Sequence, residues 1–304
     1  MVSGRGSPVM TMSKLQIFSL IVVFAKGGLA QPLPVQWEEL TAPDFVQAIR
    51  QSGGVCLLPF GIIEKHGPAG PLGTDLINVR HSSVEAAKKE YAVIFPEYYF
   101  GQIYEARHQP GTIAYSTRLQ LELLQETTGE MARNGCSKII VVNGHGGNTM
   151  LLQYFAQTQL DSPKDYIVYA YVSLGAPPNA AVPAAAAASG PNVDGHAGEG
   201  EIANVMASRP DLVRLARSDS QSGADLRRLD LPAGLVTGIG WYSRFPNHYA
   251  GNSSRATVAR GQAATQMRVD SIVNVIRAVK ADQTGPRLQK EFFDAARQPL
   301  NTKQ

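Results

Sequence analysis

The stretch Lys138-Ile-Ile-Val-Val-Asn-Gly-His-Gly-Gly-Asn148 sets a short apolar run directly before a glycine-rich turn that carries a histidine. Such a run is typical of a buried β-strand, and the residues from Asn148 onward have the apolar spacing of a helix. Strand-like runs also occur at 54–60, 92–95 and 166–172, with helical patterns at about 78–89 and 117–134. Strands that alternate with helices of about 10–15 residues predict βαβ units. We therefore expect an α/β fold with a mostly parallel sheet covered on both faces.

The second half of the chain is less regular. Residues 176–195 contain proline, asparagine and an alanine-rich run, which is typical of a long functional or linking loop. We expect a helix at about 198–208, a polar loop over 216–236 and a long helix at about 255–281, capped by Ser253 or Ser254. Because there is no internal repeat or linker, residues 31–304 are expected to form a single domain, with a core at about 36–280 and a C-terminal tail at 282–304.

The charge of the chain is balanced once its first 30 residues are set aside. Three of the 28 basic residues lie there, and the remaining 25 face 25 acidic residues. Nucleic-acid binding needs clustered Lys and Arg, so no nucleic-acid partner is expected. The composition, with 44% hydrophobic residues, also excludes a wholly disordered chain.

The N-terminus has the pattern of a secretory signal peptide. Basic Arg5 and Lys14 precede an apolar run from Leu15 to Ala25, and small residues follow up to position 30. The run is shorter than the roughly 20 residues that span a bilayer, and no other stretch approaches that length, so no membrane span is expected. We predict a signal peptide at 1–30 and export to the periplasm or the exterior. An uncleaved interfacial anchor or a later start is the alternative.

The only two cysteines are Cys56 and Cys136. In an exported protein they could pair, but each lies in or beside an apolar strand-like run, where a buried free thiol is equally expected. The sequence leaves both states open.

Histidines and carboxylates cluster beside glycines at the ends of strand-like runs. Carboxyl ends of parallel strands are where ligands bind in open α/β sheets. Mixed imidazole and carboxylate ligands suit Zn, Fe or Mn, and a shared carboxylate can hold two such ions together. A lone histidine is more often structural, but several clusters favour a site. The clusters are Glu64, His66 and Asp75; His145; His196, Glu199 and Glu201; and, more weakly, Trp241 to His248.

Other catalytic motifs are absent from the sequence. The run Gly144-His-Gly-Gly-Asn148 lacks the Lys-Ser/Thr of a P-loop and the spacing of a dinucleotide fingerprint. There is no Gly-x-Ser-x-Gly nucleophile elbow. Neither cysteine stands in a catalytic context.

In these motifs the chain resembles the creatininase (creatinine amidohydrolase) family. The matching stretches are Leu58-Pro-Phe-Gly-Ile-Ile-Glu-Lys-His-Gly-Pro68, Leu72-Gly-Thr-Asp75, Pro110-Gly-Thr-Ile113, Asn143-Gly-His-Gly-Gly-Asn148, His196-Ala-Gly-Glu-Gly-Glu201, Ala256-Thr257 and Arg260-Gly261. The resemblance implies a three-layer α/β/α subunit, usually in a homo-oligomer that is often a hexamer. It also implies two divalent metal ions (Zn, Mn or Fe) that activate water to cleave a C–N bond in a small or cyclic amide.

The resemblance also implies roles for individual residues. Glu64 would bind one metal, His66 the other, Asp75 would bridge them and His145 would be a further ligand. Some members carry a carboxylate two residues after that histidine, where this chain has Gly147. Glu201 would replace it. Glu199 is the alternative ligand and a candidate catalytic carboxylate, and His196 is the candidate for proton transfer.

The departures from the family pattern fall on the substrate side. The stretch Tyr104-Glu-Ala-Arg-His-Gln-Pro-Gly-Thr112 replaces the usual family residues before the Pro-Gly-Thr motif. We expect Arg107, His108, Trp241 and His248 to line a pocket for a small-molecule substrate other than creatinine, such as an anionic or sugar-like amide. A lactone or cyclic-ketone hydrolase, a peptidase for a modified peptide, and a non-catalytic binding protein are the alternatives.

Overall fold

The computed structural model describes residues 1–2, 4–6, 33–174 and 181–303. The elements in chain order are α1 (Ala42–Ser52), β1 (Val55–Phe60), α2 (Thr74–Lys89), β2 (Val93–Ile94), α3 (Thr117–Arg133), β3 (Lys138–Asn143), α4 (Asn148–Thr158), β4 (Ile167–Tyr171), α5 (Glu199–Ser208), α6 (Gly240–Arg244), α7 (Val258–Ala281) and α8 (Thr284–Ala296). The described residues from Leu33 onward belong to one compact unit. Apart from residues 1–2 and 4–6, the predicted signal peptide lies outside the described residues.

The four strands pair in parallel in the order β2-β1-β3-β4. Every residue of β1 and β3 is buried, which explains why both read as continuous apolar runs. The chain leaves β1 to the β2 side and then returns to β3 on the other side. The crevice between the carboxyl ends of β1 and β3 is therefore the point where the strand order reverses, and this is where such sheets bind ligands.

Helices cover both faces of the sheet. Leu57 of β1 points to one face, where it packs with residues of α2 and α7, and Leu58 points to the other, against α1, α3 and α4. Complete burial of a leucine side chain contributes about 1.5–3 kcal/mol, so alternate residues of each strand stabilise opposite layers. The predicted α/β/α architecture with a parallel sheet is confirmed.

Three helices, α1, the short α6 and α8, were not predicted from the sequence. Helix α1 begins at the Thr41 cap, and α8 lies in the segment expected to be a C-terminal tail. Only Phe293 of α8 is buried, although Leu288, Phe292 and Phe293 recur at the spacing of an amphipathic helix. Helix α7 starts later than expected, because Thr257 caps it by accepting a hydrogen bond from the Arg260 N–H.

A disulfide joins Cys56 in β1 to Cys136, two residues before β3. The cystine is buried among the side chains that α1, α3 and α4 pack against the sheet. The pairing that the sequence leaves open is thus a cross-link between the amino ends of the two central strands.

Helix α5 lies against α7 at a close backbone crossing. A Cβ on Gly261 would lie 1.8 Å from the carbonyl oxygen of Ala203, so only glycine fits there. This crossing fixes the first turn of α5, which carries two of the expected site carboxylates. Within the described residues no helix is both long and apolar enough to cross a bilayer.

Candidate metal centre

Two loops and a helix start bring four of the expected ligands to the crevice. Glu64 and His66 lie in the loop after β1, Asp75 is the second residue of α2, and His145 lies in the turn after β3. The loop after β1 is closed by a hydrogen bond from the Glu64 N–H to the carbonyl of Leu72, 3.0 Å long. All four ligand candidates are less than 10% exposed. Charged side chains mostly lie at the protein surface, but these four are buried together.

Asp75 lies between two histidines. Its Oδ1 is 3.3 Å from His66 Nε2, and its Oδ2 is 2.9 Å from His145 Nδ1. Glu64 Oε1 approaches the same His145 nitrogen at 3.1 Å. This is the arrangement in which one carboxylate can serve two cations that each have an imidazole and a further carboxylate.

His66 is oriented by the main chain. Its Nδ1 lies 3.3 Å from the carbonyl oxygen of Glu64, so the proton belongs on Nδ1 and the Nε2 lone pair points into the cluster. A backbone carbonyl that fixes the far nitrogen is a common companion of metal-binding histidines. Glu201 completes this side of the cluster, with its Oε2 3.7 Å from His66 Nε2.

Glu201 lies in the first turn of α5, and His196 lies in the turn before this helix. The Ala197 N–H donates to Glu201 Oε2 over 2.7 Å, and Ala197 has the left-handed φ of 58° that this tight turn requires. His196 Nε2 donates to the carbonyl of Lys65 over 2.8 Å. The remaining nitrogen, Nδ1, is 3.8 Å from Glu201 Oε2. His196 is thereby fixed with a free lone pair beside the cluster.

The cluster has strongly coupled charges. Burial would raise the pKa of Glu64, but the neighbouring His145, His196 and His248 hold it well below its usual range. Burial would lower the pKa of His66, but the carboxylates around it raise it to about 9, and the pKa of His145 rises for the same reason. In the absence of a metal, protons on the histidines balance the buried carboxylates.

Glu201 and His196 depart from their usual pKa values in ways set mainly by burial. Burial raises the pKa of Glu201 to about 7 and lowers that of His196 to about 3. His196 is therefore neutral near pH 7, with a lone pair on Nδ1 available to take a proton.

Three buried atoms of this cluster are left without a hydrogen bond of good geometry. They are Glu64 Oε1, Asp75 Oδ2 and His145 Nε2. Buried polar atoms are almost always paired, so this concentration calls for an explanation. Glu64, His66 and Asp75 each offer one atom within 4.8 Å of the others, as do His66, His196 and Glu201. The donor set thus fits divalent transition metals.

Glu199, the second carboxylate of the turn, lies outside this cluster. Its Oε1 is 2.9 Å from Arg260 Nη1, and its Oε2 accepts a hydrogen bond of 2.6 Å from the Ser189 hydroxyl. Arg260 also pairs with Asp194, whose Oδ1 accepts from the Gly200 N–H. These bonds attach the turn that carries His196 and Glu201 to α7.

The four residues expected at the substrate divide into two groups. Arg107 and His108 line an open cavity of about 470 Å³ together with Tyr104, Ile239 and Tyr242. His108 Nε2 lies 2.9 Å from the carbonyl oxygen of Pro246. Trp241 and His248 instead lie against the metal cluster, where Trp241 Nε1 donates to His248 Nδ1 and His248 Nε2 contacts Glu64 Oε2.

Sequence reasoning missed a small polar chamber behind the cluster. It is lined by Asp75 and Glu201 and also by Asn78, Asn204 and Arg268. Arg268 donates to the main-chain carbonyls of Asn143 and Leu174, while its Nε lacks a partner among the described residues. The signal that could have found this chamber is the polar series Asp75, Asn78 and Ser82, which recurs on one inward face of α2.

The comparisons with known proteins identify the family and the fold. The family model described as "Creatininase: Creatinine amidohydrolase" matches residues 38–276. The mycofactocin precursor peptide peptidase of Mycolicibacterium smegmatis is 29% identical over 235 residues, which cover 75% of this chain and 87% of that protein. The creatinine amidohydrolase of Pseudomonas putida is 24% identical over 119 residues, 38% of this chain and 46% of that protein.

Solved structures show the same fold. A mutant creatininase superimposes with a TM-score of 0.66 at 21% identity, covering 82% of this chain and all of that one. The structure of a Bacteroides fragilis protein described as a creatinine amidohydrolase gives a TM-score of 0.65 at 20% identity, covering 83% of this chain and 99% of that one.

Proposed function

Because this chain belongs to the creatininase family, we propose that it is a metal-dependent hydrolase that cleaves a C–N bond of an amide. The observation that carries the proposal is the cluster of the buried Glu64, His66, Asp75 and His145 with the partly exposed Glu201, in which three buried atoms lack a hydrogen bond of good geometry. A binding protein without catalysis would have no use for such a costly arrangement of buried charges.

Glu64 and His145 would hold one divalent ion, His66 and Glu201 the other, and Asp75 would face both. Solved creatininases include a form named for Mn and a form named Zn-Zn type, so Zn and Mn are our first candidates, with Fe as a third. Such ions, when bound, lower the pKa of water and polarise a carbonyl group.

Side chains of the protein would transfer the proton that amide cleavage requires. His196 is held by Lys65 so that Nδ1 faces the cluster, and it is neutral at pH 7. We assign His196 the proton transfer of amide cleavage: its Nδ1 would accept a proton from the attacking water and pass it to the leaving nitrogen as the C–N bond breaks. Glu199 is engaged by Arg260 and Ser189. Its proposed part is therefore to hold the turn, and Glu201 is the ligand that we favour.

A second candidate is the hydrolysis of a modified peptide. The similarity to mycofactocin precursor peptide peptidases extends over most of both chains. The open cavity at Arg107 and His108, with exposed Tyr104 and Tyr242 beside them, offers room for more than a small ring. A substrate larger than creatinine would use these residues.

We also propose that the protein is exported and forms a homo-oligomer. The Cys56–Cys136 disulfide supports export, because such bonds persist in oxidising compartments.

The first test is the metal content of the purified protein, measured by mass spectrometry beside Asp75→Ala. We expect about two equivalents in the wild type, following the two-ion site, and one or none in the variant. Asp161→Ala is the matched control, because Asp161 is an exposed aspartate paired only with its neighbours. A wild-type protein that takes up neither Zn nor Mn would refute the mechanism.

The second test is a substrate screen of the metal-loaded enzyme. Cyclic amides, short peptides with modified ends, and lactones or cyclic ketones should be compared under the same conditions. Turnover of the amides or peptides that is lost in Asp75→Ala supports C–N cleavage. Turnover of the lactones or ketones alone would replace that assignment, because one relative is named a 3-dehydro-scyllo-inosose hydrolase.

A further inference from the structure

Two successive hydrogen bonds connect Trp241 of α6, through His248, to Glu64, one of the expected metal ligands. Trp241 Nε1 lies 3.0 Å from His248 Nδ1, and His248 Nε2 is hydrogen-bonded to Glu64 Oε2. Glu64 is completely buried and His248 is 2% exposed. The bond between His248 and Glu64 therefore lies in the interior, while Trp241 at the other end is partly exposed.

The direction of both bonds follows from the indole. An indole N–H can only donate, so His248 Nδ1 must accept and carries no proton. In a neutral imidazole the proton then lies on Nε2, which donates to Glu64 Oε2. Trp241 thus selects the tautomer of His248, and His248 in turn occupies one oxygen of Glu64.

The backbone of His248 is constrained as well. Its φ of 51° lies in the left-handed region, which non-glycine residues seldom adopt. Its N–H donates to the carbonyl of Phe245 over 2.9 Å, and its carbonyl accepts from the Gly67 N–H over 3.4 Å. Such conformations persist where the surroundings enforce them, and they cluster at functional sites. Gly67 directly follows the expected ligand His66.

We infer that Trp241 and His248 are positioning residues that hold Glu64 as a one-oxygen metal ligand. With Oε2 engaged by His248, the free oxygen is Oε1, which lies 3.1 Å from His145 and has no hydrogen bond of good geometry. The inference rests on the metal centre proposed above. It gives both residues a role different from the substrate contact that the sequence suggests.

The same atoms could be thought to hold an additional ion. Glu64, His196 and His248 each offer an atom within 4.8 Å of the others. However, His196 Nε2 donates to Lys65 and His248 Nε2 donates to Glu64, so neither nitrogen has a lone pair directed between them. Hydrogen bonds to ligating groups, rather than a further ion, account for the geometry.

The chain contains only two tryptophans, which gives a matched control. Trp241→Phe keeps an aromatic ring but removes the N–H, whereas Trp37→Phe makes the same change beside Phe45 and Phe95. The pair His248→Ala and His248→Gln removes the donor or keeps an amide N–H that can reach Glu64. Each full-length variant is stripped of metal, and its Zn²⁺ affinity is measured by competition with a chelator. The absorption spectrum of the Co²⁺-loaded form is recorded as well.

Loss of such a supporting hydrogen bond typically weakens metal affinity about 10–100-fold. We expect this loss in His248→Ala, a smaller loss with an altered Co²⁺ spectrum in Trp241→Phe, and partial recovery in His248→Gln. Trp37→Phe should bind as the wild type does, and the melting temperature of the metal-free variants shows that they are folded.

Two results would overturn the inference. If Trp241→Phe and His248→Ala keep the wild-type affinity and Co²⁺ spectrum, the metal centre stands but these residues do not position it. If Trp37→Phe loses as much affinity as Trp241→Phe, the effect is not specific to the chain of hydrogen bonds. A wild-type protein that binds no metal fails at the earlier step and removes the proposed function too.

Discussion

Metal uptake by this protein should depend steeply on pH, because the metal must displace protons. The carboxylates around His66 raise its pKa to about 9, and the pKa of His145 is raised as well. At pH 7, two units lower, only about one molecule in a hundred has a neutral His66. The apparent affinity at pH 7 should therefore be about a hundredfold weaker than the limiting affinity above pH 9, from His66 alone.

The same histidine affects the stability of the metal-free protein. Its pKa is higher in the folded state than the ordinary value of 6.5. Its contribution to stability is therefore complete below about pH 6.5 and is lost as the pH rises through about 9. The melting temperature of the metal-free protein should fall over this interval, while that of the metal-loaded protein should change less.

Calorimetric titration with Mn²⁺ in buffers of different ionisation heat measures both quantities. We expect about two protons to be released per protein near pH 7, one each from His66 and His145, with a further fraction from Glu201, and tighter binding at pH 8 than at pH 7. His108→Gln is the control, because His108 lies outside the cluster and should leave the proton count unchanged. Binding that releases no proton and has the same affinity at pH 6.5 and 8.5 would refute the reasoning.

Three further predictions follow from single contacts. Replacing Cys56 and Cys136 by alanine opens a cross-link with a sequence separation of 80. The chain-entropy relation gives a loss of about 4.5 kcal/mol, measurable by urea unfolding, and an unchanged midpoint would contradict it. Glu199→Gln should lower the melting temperature and leave the metal content near normal. Glu201→Gln should lower the metal content and leave the melting temperature near normal. Mass spectrometry measures the metal content, and calorimetry measures the melting temperature. Gly261→Ala should lower the free energy of unfolding by more than about 2 kcal/mol, because its Cβ would lie 1.8 Å from a carbonyl oxygen of α5. A melting temperature equal to that of the wild type would show that α5 and α7 can separate freely.

The sheet and its layers were predictable because their signals are local. The runs at 54–60 and 138–142 are apolar on both faces, which only a covered parallel strand explains. Helix α8 was missed although Leu288, Phe292 and Phe293 recur at helical spacing, because the segment after residue 281 was expected to be a tail outside the core. Pairing of Cys56 with Cys136 depends on the strand register, since Cys56 lies opposite Ile139, and a single sequence does not contain that register.

The candidate site was predictable in its residue types more than in its roles. Glycine-flanked histidines and acids after β1 and β3 point to the crevice, and the structure places Glu64, His66, Asp75 and His145 there together. Residue spacing could not separate Glu199 from Glu201, because both lie in the first turn of α5.

The tertiary partners of these residues carry the missing information. Only the crossing of α5 and α7 shows that Arg260 forms an ion pair with Glu199. In the same way, the contact of His248 with Glu64 joins positions that are 184 residues apart.

The disulfide lies at the end of the sheet opposite the candidate metal centre. Cys56 and Cys136 join the central strands at their amino ends, whereas the candidate ligands and the loops expected at the substrate lie at the opposite ends. The sheet is therefore cross-linked at the end away from the candidate site. A library that varies residues 104–108 and 238–240 can search for new substrates with the cross-link and the metal ligands untouched. The loops at the open cavity can therefore be exchanged while the cross-linked sheet is kept.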